Sequence, residues 1–326
     1  MNILYTIDDN YTHVLAVSLL SLFESNKENN LNVTILVKHL NENNEKKLLD
    51  IAKRYNMTLR IIKDDKLDDF FISHGIKKYH GSYSAYYRLF FDKYFEENEN
   101  ILYLDADTII VDNIKPLNNI NLGDNYIAAV KEPQGKYYKE LIGLKEFDYY
   151  NSGVMILNTN KWKKDKCYDI IRNSIKNKIF YVYPDQDIIN IMFKNKIMTL
   201  DPKFNYMPIH RICNEKCYDD VFGIDNYYSE NIIGQAKQHP VIIHCYNFLG
   251  ESPWMKNNSH PDKELFNQYF RKTLIDYSPQ KPSFNILYFI EKKLIKILPK
   301  KMFFKIYKKI SIKFLKKIIN ECKKKG

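Results

Sequence analysis

The chain of 326 residues contains no run of 18 apolar residues, which excludes a membrane-spanning helix. It shows no secretory leader either: Met1 leads into Asn2-Ile3-Leu4-Tyr5, and Asp8 and Asp9 follow at once. Cysteine is scarce and odd in number, five in all, at Cys167, Cys213, Cys217, Cys245 and Cys322. Without a leader, that count points to reduced thiols in the cytosol. Cys213-x3-Cys217 has no matching second half, so it does not specify zinc. Net positive charge is absent from most of the chain. The formal net charge is +11, but Lys281 to Gly326 holds 15 Lys, no Arg and two acids, Glu291 and Glu321, and carries +13 alone. The 280 residues before it carry −2, a near-neutral globule with a cationic tail. Nucleic acid is not the expected partner, because a tail without Arg lacks the usual reader of bases.

What is present supports a large core. Apolar residues make up 45% and charged residues 27%, a globular balance, and 26 tyrosines suit a surface that stacks bases or sugars. The organising stretch is Ile101 to Val111, whose apolar run without polar alternation reads as a buried parallel-type strand. It carries Asp105 and Asp107. Side chains at i and i+2 of an extended chain point the same way, so both carboxylates reach one point. Two such charges repel unless a cation joins them, and hard divalent cations combine carboxylates with substrate phosphates. The alternative is a turn in which one Asp caps the backbone and the other is solvated.

The remaining pattern alternates strands with helices, which predicts a parallel α/β sheet. Strands are expected at Asn2–Thr6, Asn32–Val37, Leu59–Ile62, Tyr126–Val130, Asn151–Asn158 and Pro240–His244, and helices at His13–Glu24, Asn43–Tyr55, Leu67–Ser73, Ser84–Phe95 and Lys161–Lys176. Lys131 to Tyr150 reads as a loop able to close over a ligand. Pro184 opens a further helix, and Asp185 and Asp187 suit its N-terminus; Gln186 has no capping role. Arg88, alone among Tyr86, Tyr87, Leu89, Phe90 and Phe91, is a candidate partner for an acid or a phosphate. His244 ends a strand.

Four separated motifs then resemble one family: Asp8-Asp9-Asn10-Tyr11, Tyr103-Leu104-Asp105-Ala106-Asp107, Asn151-Ser152-Gly153-Val154, and Asp185-Gln186-Asp187 with Asn190, completed by His244 and Pro253-Trp254. Over residues 1–255 the chain resembles family 8 of the glycosyltransferases, which includes bacterial lipooligosaccharide galactosyl- and glucosyltransferases and the glycogenins. The resemblance implies a GT-A-type, Rossmann-like mixed sheet flanked by helices, a UDP-hexose donor, a glycan or glycolipid acceptor, Mn²⁺ with Mg²⁺ as the other option, and transfer with retention. It places Asp105, Asp107 and His244 on the metal. It places Thr6, Asp8, Asn10, Tyr11, Arg88, Asp105, Ala106, Asn151, Ser152, Asp185 and Gln186 around the donor, with Gln186 and Asp185 at the reacting carbon. One departure stands out: where the family has His, a Gly three residues on and a Lys before Pro-Trp, this chain has Asn247 at the Gly position and Ser252 before Pro253. Lys256 or a loop lysine is the expected substitute on the diphosphate. A non-catalytic sugar-nucleotide-binding relative is the alternative this departure leaves open.

Beyond residue 255 a connecting helical segment, 256–282, is expected to lead to a tail, 283–326. Asn285–Leu298 and Met302–Ile319 read as helices broken at Pro299. In the second, Phe303, Tyr307, Ile310, Phe314 and Ile318 form one stripe, and Lys305, Lys308, Lys309, Lys313, Lys316 and Lys317 occupy the rest. That is the pattern of an interfacial amphipathic helix on anionic headgroups. The expectation is a cytoplasmic enzyme, peripheral on the inner face of the membrane beside a lipid-linked saccharide acceptor. A helix pair packed on the globule is the alternative.

Overall fold

The computed structural model describes residues 1–96, 100–176, 182–213, 217–224, 227–281 and 286–323. Its apolar runs become the strands of a seven-stranded sheet, ordered β3-β2-β1-β4-β7-β6-β8. These are β1 (Asn2–Ile7), β2 (Asn32–Val37), β3 (Thr58–Lys63), β4 (Asn100–Leu104), β6 (Ile127–Lys131), β7 (Tyr150–Asn158) and β8 (Ile197–Thr199). β7 runs against both β4 and β6, and every other pairing is parallel. One reversed strand makes the sheet mixed, and it decides the site. The carboxyl ends of β1, β4 and β6 lie on the same edge as the amino end of β7. Asp8, Asp105, Glu132 and Asn151 therefore share that edge.

Helices cover both faces. α1 (Thr12–Ser25) is buried almost all round, from Val14 to Phe23, as expected of a helix held between a sheet and another helix. α2 (Glu42–Arg54) instead buries only Leu48, Ile51 and Ala52, and Asn41 caps its start by accepting from Asn43. The opposite face of the sheet carries Phe71, Phe91 and Trp162 in one cluster with Tyr103 and Leu157.

Several expected elements are divided. The 101–111 run is not one strand. β4 stops at Leu104, and β5 (Thr108–Ile110) pairs antiparallel with β9 (Ile242–His244) in a separate two-stranded sheet. The 84–95 segment is a helical turn, Ser84–Tyr87, followed by a 3-10 stretch with a kink at Phe90. The 161–176 segment breaks at Lys166, whose φ of 51° ends the first helix. The 131–150 loop contains a helix, Lys136–Leu141. Cys213 and Cys217, with Cα atoms 5.3 Å apart, are joined as a disulfide, which corrects the expectation of free thiols; Cys167 and Cys245 are free and buried.

The tail forms helices Ile286–Ile297 and Lys300–Lys323 on either side of Pro299. The second is seated on the body at its start, whereas the first leaves Tyr288, Phe289, Ile290 and Ile297 exposed. Phe303 and Phe304 are 2% and 3% exposed and join Cys213, Cys217, Tyr218 and Val221 in one cluster, with Tyr307 packed against it. Lys292 pairs with Glu251. The start of the stripe thus faces the globule, as the packed alternative requires. The side chains of Phe314 and Ile318 lie outside the described residues.

Candidate active site

Asp105 and Asp107 converge because the chain turns between them, not because they alternate along one strand. Asp105 N–H donates to the Gly153 carbonyl at 2.7 Å, which fixes the end of β4 on β7. β9 places His244 opposite Thr108, and Cys245 N–H donates to the Asp107 carbonyl at 2.7 Å. The His244 Nε2 atom is then 3.3 Å from Asp107 Oδ1 and 3.7 Å from Asp105 Oδ2. One ligand atom from each of the three residues lies within 4.8 Å of the others.

This trio fits a divalent cation. Burial lowers the His244 basicity, but Asp107 and Asp105 outweigh it and hold the imidazole above its ordinary value. Burial likewise pushes the Asp107 carboxyl up, and His244 more than reverses that. Asn205 faces His244 Nδ1 at 3.0 Å, so the second ring nitrogen is committed and Nε2 is left for the carboxylates. Space is kept clear by Gly153. A Cβ there would stand 2.2 Å from His244 Cε1 and 2.7 Å from Asp105 Oδ2. Two oxygens and an imidazole suit a transition-type cation such as Mn²⁺ better than calcium. Gly153→Ala is therefore expected to shift His244 and Asp105 and lower Mn²⁺ affinity about tenfold or more. Calorimetric titration of Mn²⁺ checks it, and wild-type affinity in the alanine variant would show that the cradle is elsewhere.

Arg88 is 6% exposed and spans two acids. Its guanidinium lies 2.7 Å from Asp105 Oδ1 and 3.3 Å from Asp185 Oδ2, donates to the Ser152 carbonyl at 3.0 Å, and covers the Tyr103 ring at 4.4 Å. Burial works against its charge, but the two carboxylates prevail and keep it ionised. Burial raises the Asp185 carboxyl, with Arg88 opposing. Thr6 reaches the Tyr103 hydroxyl at 3.1 Å, and that hydroxyl donates to Asp105 at 2.8 Å.

Gln186 is held from both ends. Its carbonyl accepts from Ser152 N–H at 3.0 Å and Asn151 at 3.2 Å, while its NH₂ donates to Glu132 at 2.8 Å and to Tyr149 at 3.1 Å. Asn151 also donates to Glu132 at 3.0 Å and accepts from Asn205 at 2.8 Å. Asp187, the third residue of that motif, is buried and accepts from Tyr138 at 2.5 Å and Tyr149 at 2.6 Å. Burial pushes its carboxyl up to about 6, against those two hydroxyls. Its role exceeds that of a helix-end acid: it fastens the 131–150 loop to the start of the Pro184–Met192 helix.

At the end of β1, Asp8 accepts from Asn10 N–H at 3.0 Å, Asn10 is exposed, and Tyr11 packs edge-on to Trp254 at 5.6 Å. Asp107 and Asp105 add to burial in raising the Tyr11 hydroxyl, so this cluster adjoins the acids. Ala106 lies between the two aspartates, 6% exposed. Of the expected diphosphate lysines, Lys256 has an exposed side chain and Lys131 pairs with Asp148 at 2.8 Å. Glu132 and Asn205 were not singled out from the sequence. Glu132 follows β6 directly, so the strand-end rule that found Asp105 applies to it as well. Asn205, in a short 3-10 turn, carries no sequence signal.

A mixed sheet with one reversed strand and an acid–imidazole trio at its carboxyl edge defines a GT-A-type glycosyltransferase body. The chain belongs to glycosyl transferase family 8, whose model matches residues 2–258. It is 31% identical over 218 residues to lipopolysaccharide 1,2-glucosyltransferase of Escherichia coli, spanning 63% of this chain and 62% of that protein. It is 24% identical over 282 residues to lipopolysaccharide 1,3-galactosyltransferase of Salmonella typhimurium, spanning 82% and 77%. The crystal structure of galactosyltransferase LgtC, in complex with donor and acceptor sugar analogues, has the same fold: TM-score 0.68 at 22% identity, over 85% of this chain and 98% of that one.

Proposed function

We propose that this protein is a retaining hexosyltransferase that moves galactose or glucose from a UDP-sugar to a glycan acceptor in cell-surface glycan synthesis. The observation that carries the reading is the Asp105–Asp107–His244 trio, with Gly153 leaving room for a cation and Arg88, Asp185 and Gln186 alongside. Asp105, Asp107 and His244 would hold Mn²⁺, which supplies Lewis-acid charge neutralisation to a departing diphosphate. Asp8, Asn10 and Tyr11 take the nucleoside end. Arg88 adds fixed positive charge beside the acids, and Asn151, Ser152 and Gln186 present preorganised dipoles to the sugar.

The hydrogen bonds favour front-side attack over double displacement. A nucleophile needs a free carboxylate, and Asp185 is tied to Arg88 and to the Ser152 hydroxyl at 3.0 Å. Glu132 already accepts from Asn151 and Gln186. Gln186 is neutral and committed at both ends. In the favoured route the acceptor oxygen bonds to the anomeric carbon as the carbon–phosphate-oxygen bond breaks, and the leaving phosphate oxygen takes the acceptor's proton. UDP release from UDP-galactose, UDP-glucose and UDP-N-acetylglucosamine in Mn²⁺ tests the function. Release from one of the two hexose donors is expected, and release from none of the three leaves the non-catalytic reading. NMR of the first-formed product is expected to show an α-linkage from the α-linked donor; a β-linkage rules the mechanism out.

We also infer that the tail holds the protein on an anionic cytoplasmic leaflet beside a lipid-linked acceptor. No described helix is long and apolar enough to cross a membrane. Phe303 is turned inward, but Phe289, Ile297 and Met302 are exposed, and so are Lys305, Lys308, Lys309, Lys313, Lys316 and Lys317, of which Lys308 and Lys316 also touch the body. Each lysine contributes about 1 kcal/mol near an anionic surface. The full chain is expected to sediment with anionic liposomes at low salt. The triple variant Lys305→Glu, Lys309→Glu, Lys313→Glu should stay in the supernatant with its fold intact, and equal behaviour of the two proteins contradicts the reading.

A further inference from the structure

The segment from His244 to Trp254 joins two parts of the site. Its first residue stands with Asp105 and Asp107, and its last packs edge-on against Tyr11 at 5.6 Å. Between them the chain reverses. Phe248 N–H donates to the Glu251 carbonyl at 2.8 Å and Glu251 N–H to the Phe248 carbonyl at 3.1 Å, and the turn residues Leu249 and Gly250 have φ of 50° and 78°. A leucine in the left-handed region is strained, so this turn has to be held by its surroundings. The body does not fill the space beside it. A cavity of about 200 Å³ lies against the turn, lined by Phe248, Leu249 and Glu251 together with Arg211 of the body and Lys292 and Ile295 of the Ile286–Ile297 helix.

That helix makes two contacts with the turn. Lys292 pairs with Glu251, which is only 7% exposed. Glu251 also accepts from the Ser259 N–H at 2.7 Å and the Ser259 hydroxyl at 2.6 Å. Burial pushes the Glu251 carboxyl up, but Lys292 and Ser259 more than reverse this and hold it below its ordinary value. No lysine or arginine occurs between His244 and Trp254, so the countercharge comes from the helix. The second contact is steric: the Tyr288 ring lies against Gly250, where a Cβ would overlap it. Tyr288 and Lys292 are four residues apart, hence on one face of the helix, and they grip adjacent residues of the turn.

We infer that the Ile286–Ile297 helix clamps the 248–251 turn, and that Lys292 and Tyr288 are positioning residues for the nucleotide-sugar donor. By fixing the turn they set Trp254, and with it Tyr11, relative to the Asp105–Asp107–His244 trio. The inference rests on the hexosyltransferase reading.

The test uses the full chain, the double variant Tyr288→Ala, Lys292→Ala, the conservative double Tyr288→Phe, Lys292→Arg, and Lys293→Ala, which removes a charge from the same helix. Calorimetry gives the affinity for UDP in Mn²⁺ and for Mn²⁺ alone, and hydrogen exchange follows the amides of residues 246–252. The alanine double is expected to bind UDP about tenfold more weakly and to exchange faster over 246–252. Its Mn²⁺ affinity should stay within twofold of wild type, because β9 and Asn205 hold His244 independently of the turn. The conservative double and Lys293→Ala should keep UDP affinity within threefold. UDP affinity or exchange unchanged in the alanine double overturns the inference. So does an equal loss in the conservative double or in Lys293→Ala, or a Mn²⁺ affinity that falls in step with that for UDP. Wild-type protein that binds no UDP in Mn²⁺ would instead remove the hexosyltransferase reading, a failure visible before any variant is made.

Discussion

Asp107→Asn is expected to abolish hexose transfer while leaving the fold in place. Asp107 is the cleaner of the two acids to change. Its side chain faces His244 at 3.3 Å, whereas Asp105 also pairs with Arg88 and accepts from Tyr103. Loss of a Lewis acid removes several kcal/mol from the reaction, and about 1.4 kcal/mol is tenfold, so kcat should fall on the order of a thousandfold. Excess chelator should do the same to the wild type, and added Mn²⁺ should restore it. Full activity in chelator would mean that the acids serve the fold and not the reaction.

The second large effect is at Arg88. Arg88→Met would leave Asp105 and Asp185 without their shared cation, Asp185 being only 5% exposed. Removing one partner of a buried ion pair costs about 3–5 kcal/mol, because an uncompensated charge remains. A denaturant midpoint should record that loss, and transfer should be lost with it. Arg88→Lys keeps the charge but lacks the planar fork that reaches both acids and the Ser152 carbonyl, so it should fall between the two. Stability equal to wild type in Arg88→Met would show that the acids find another cation or take up protons at no cost.

Much of this was legible in the sequence because burial writes strong patterns. Continuous apolar runs marked the central strands, and acids just past them marked the edge where Asp105, Asp107 and His244 meet. The same reasoning misjudged how Asp105 and Asp107 meet. An apolar run on both sides of the pair looks like one strand, and only the pairing of β5 with β9 shows that the chain has left the main sheet. Glu132 could have been found by the strand-end rule, but its position after Lys131 reads as loop. Asn205 could not, since a buried amide that orients a histidine has no spacing of its own. The tail shows the opposite limit. Period and charge gave its helices correctly, but a stripe of aromatics reads alike whether lipid or protein covers it, and Phe303 is covered by protein. Cys213-x3-Cys217 likewise specified proximity without specifying what joins the two sulfurs.

A divalent cation held by Asp105, Asp107 and His244 is expected to create the nucleotide-sugar site. Calorimetric titration of UDP into the full chain, with Mn²⁺ and then with chelator, measures this directly. Binding is expected to be strong with Mn²⁺, weaker by a factor of about a hundred or more in chelator, and weak under both conditions in Asp107→Asn. Equal UDP affinity with and without the metal would contradict it.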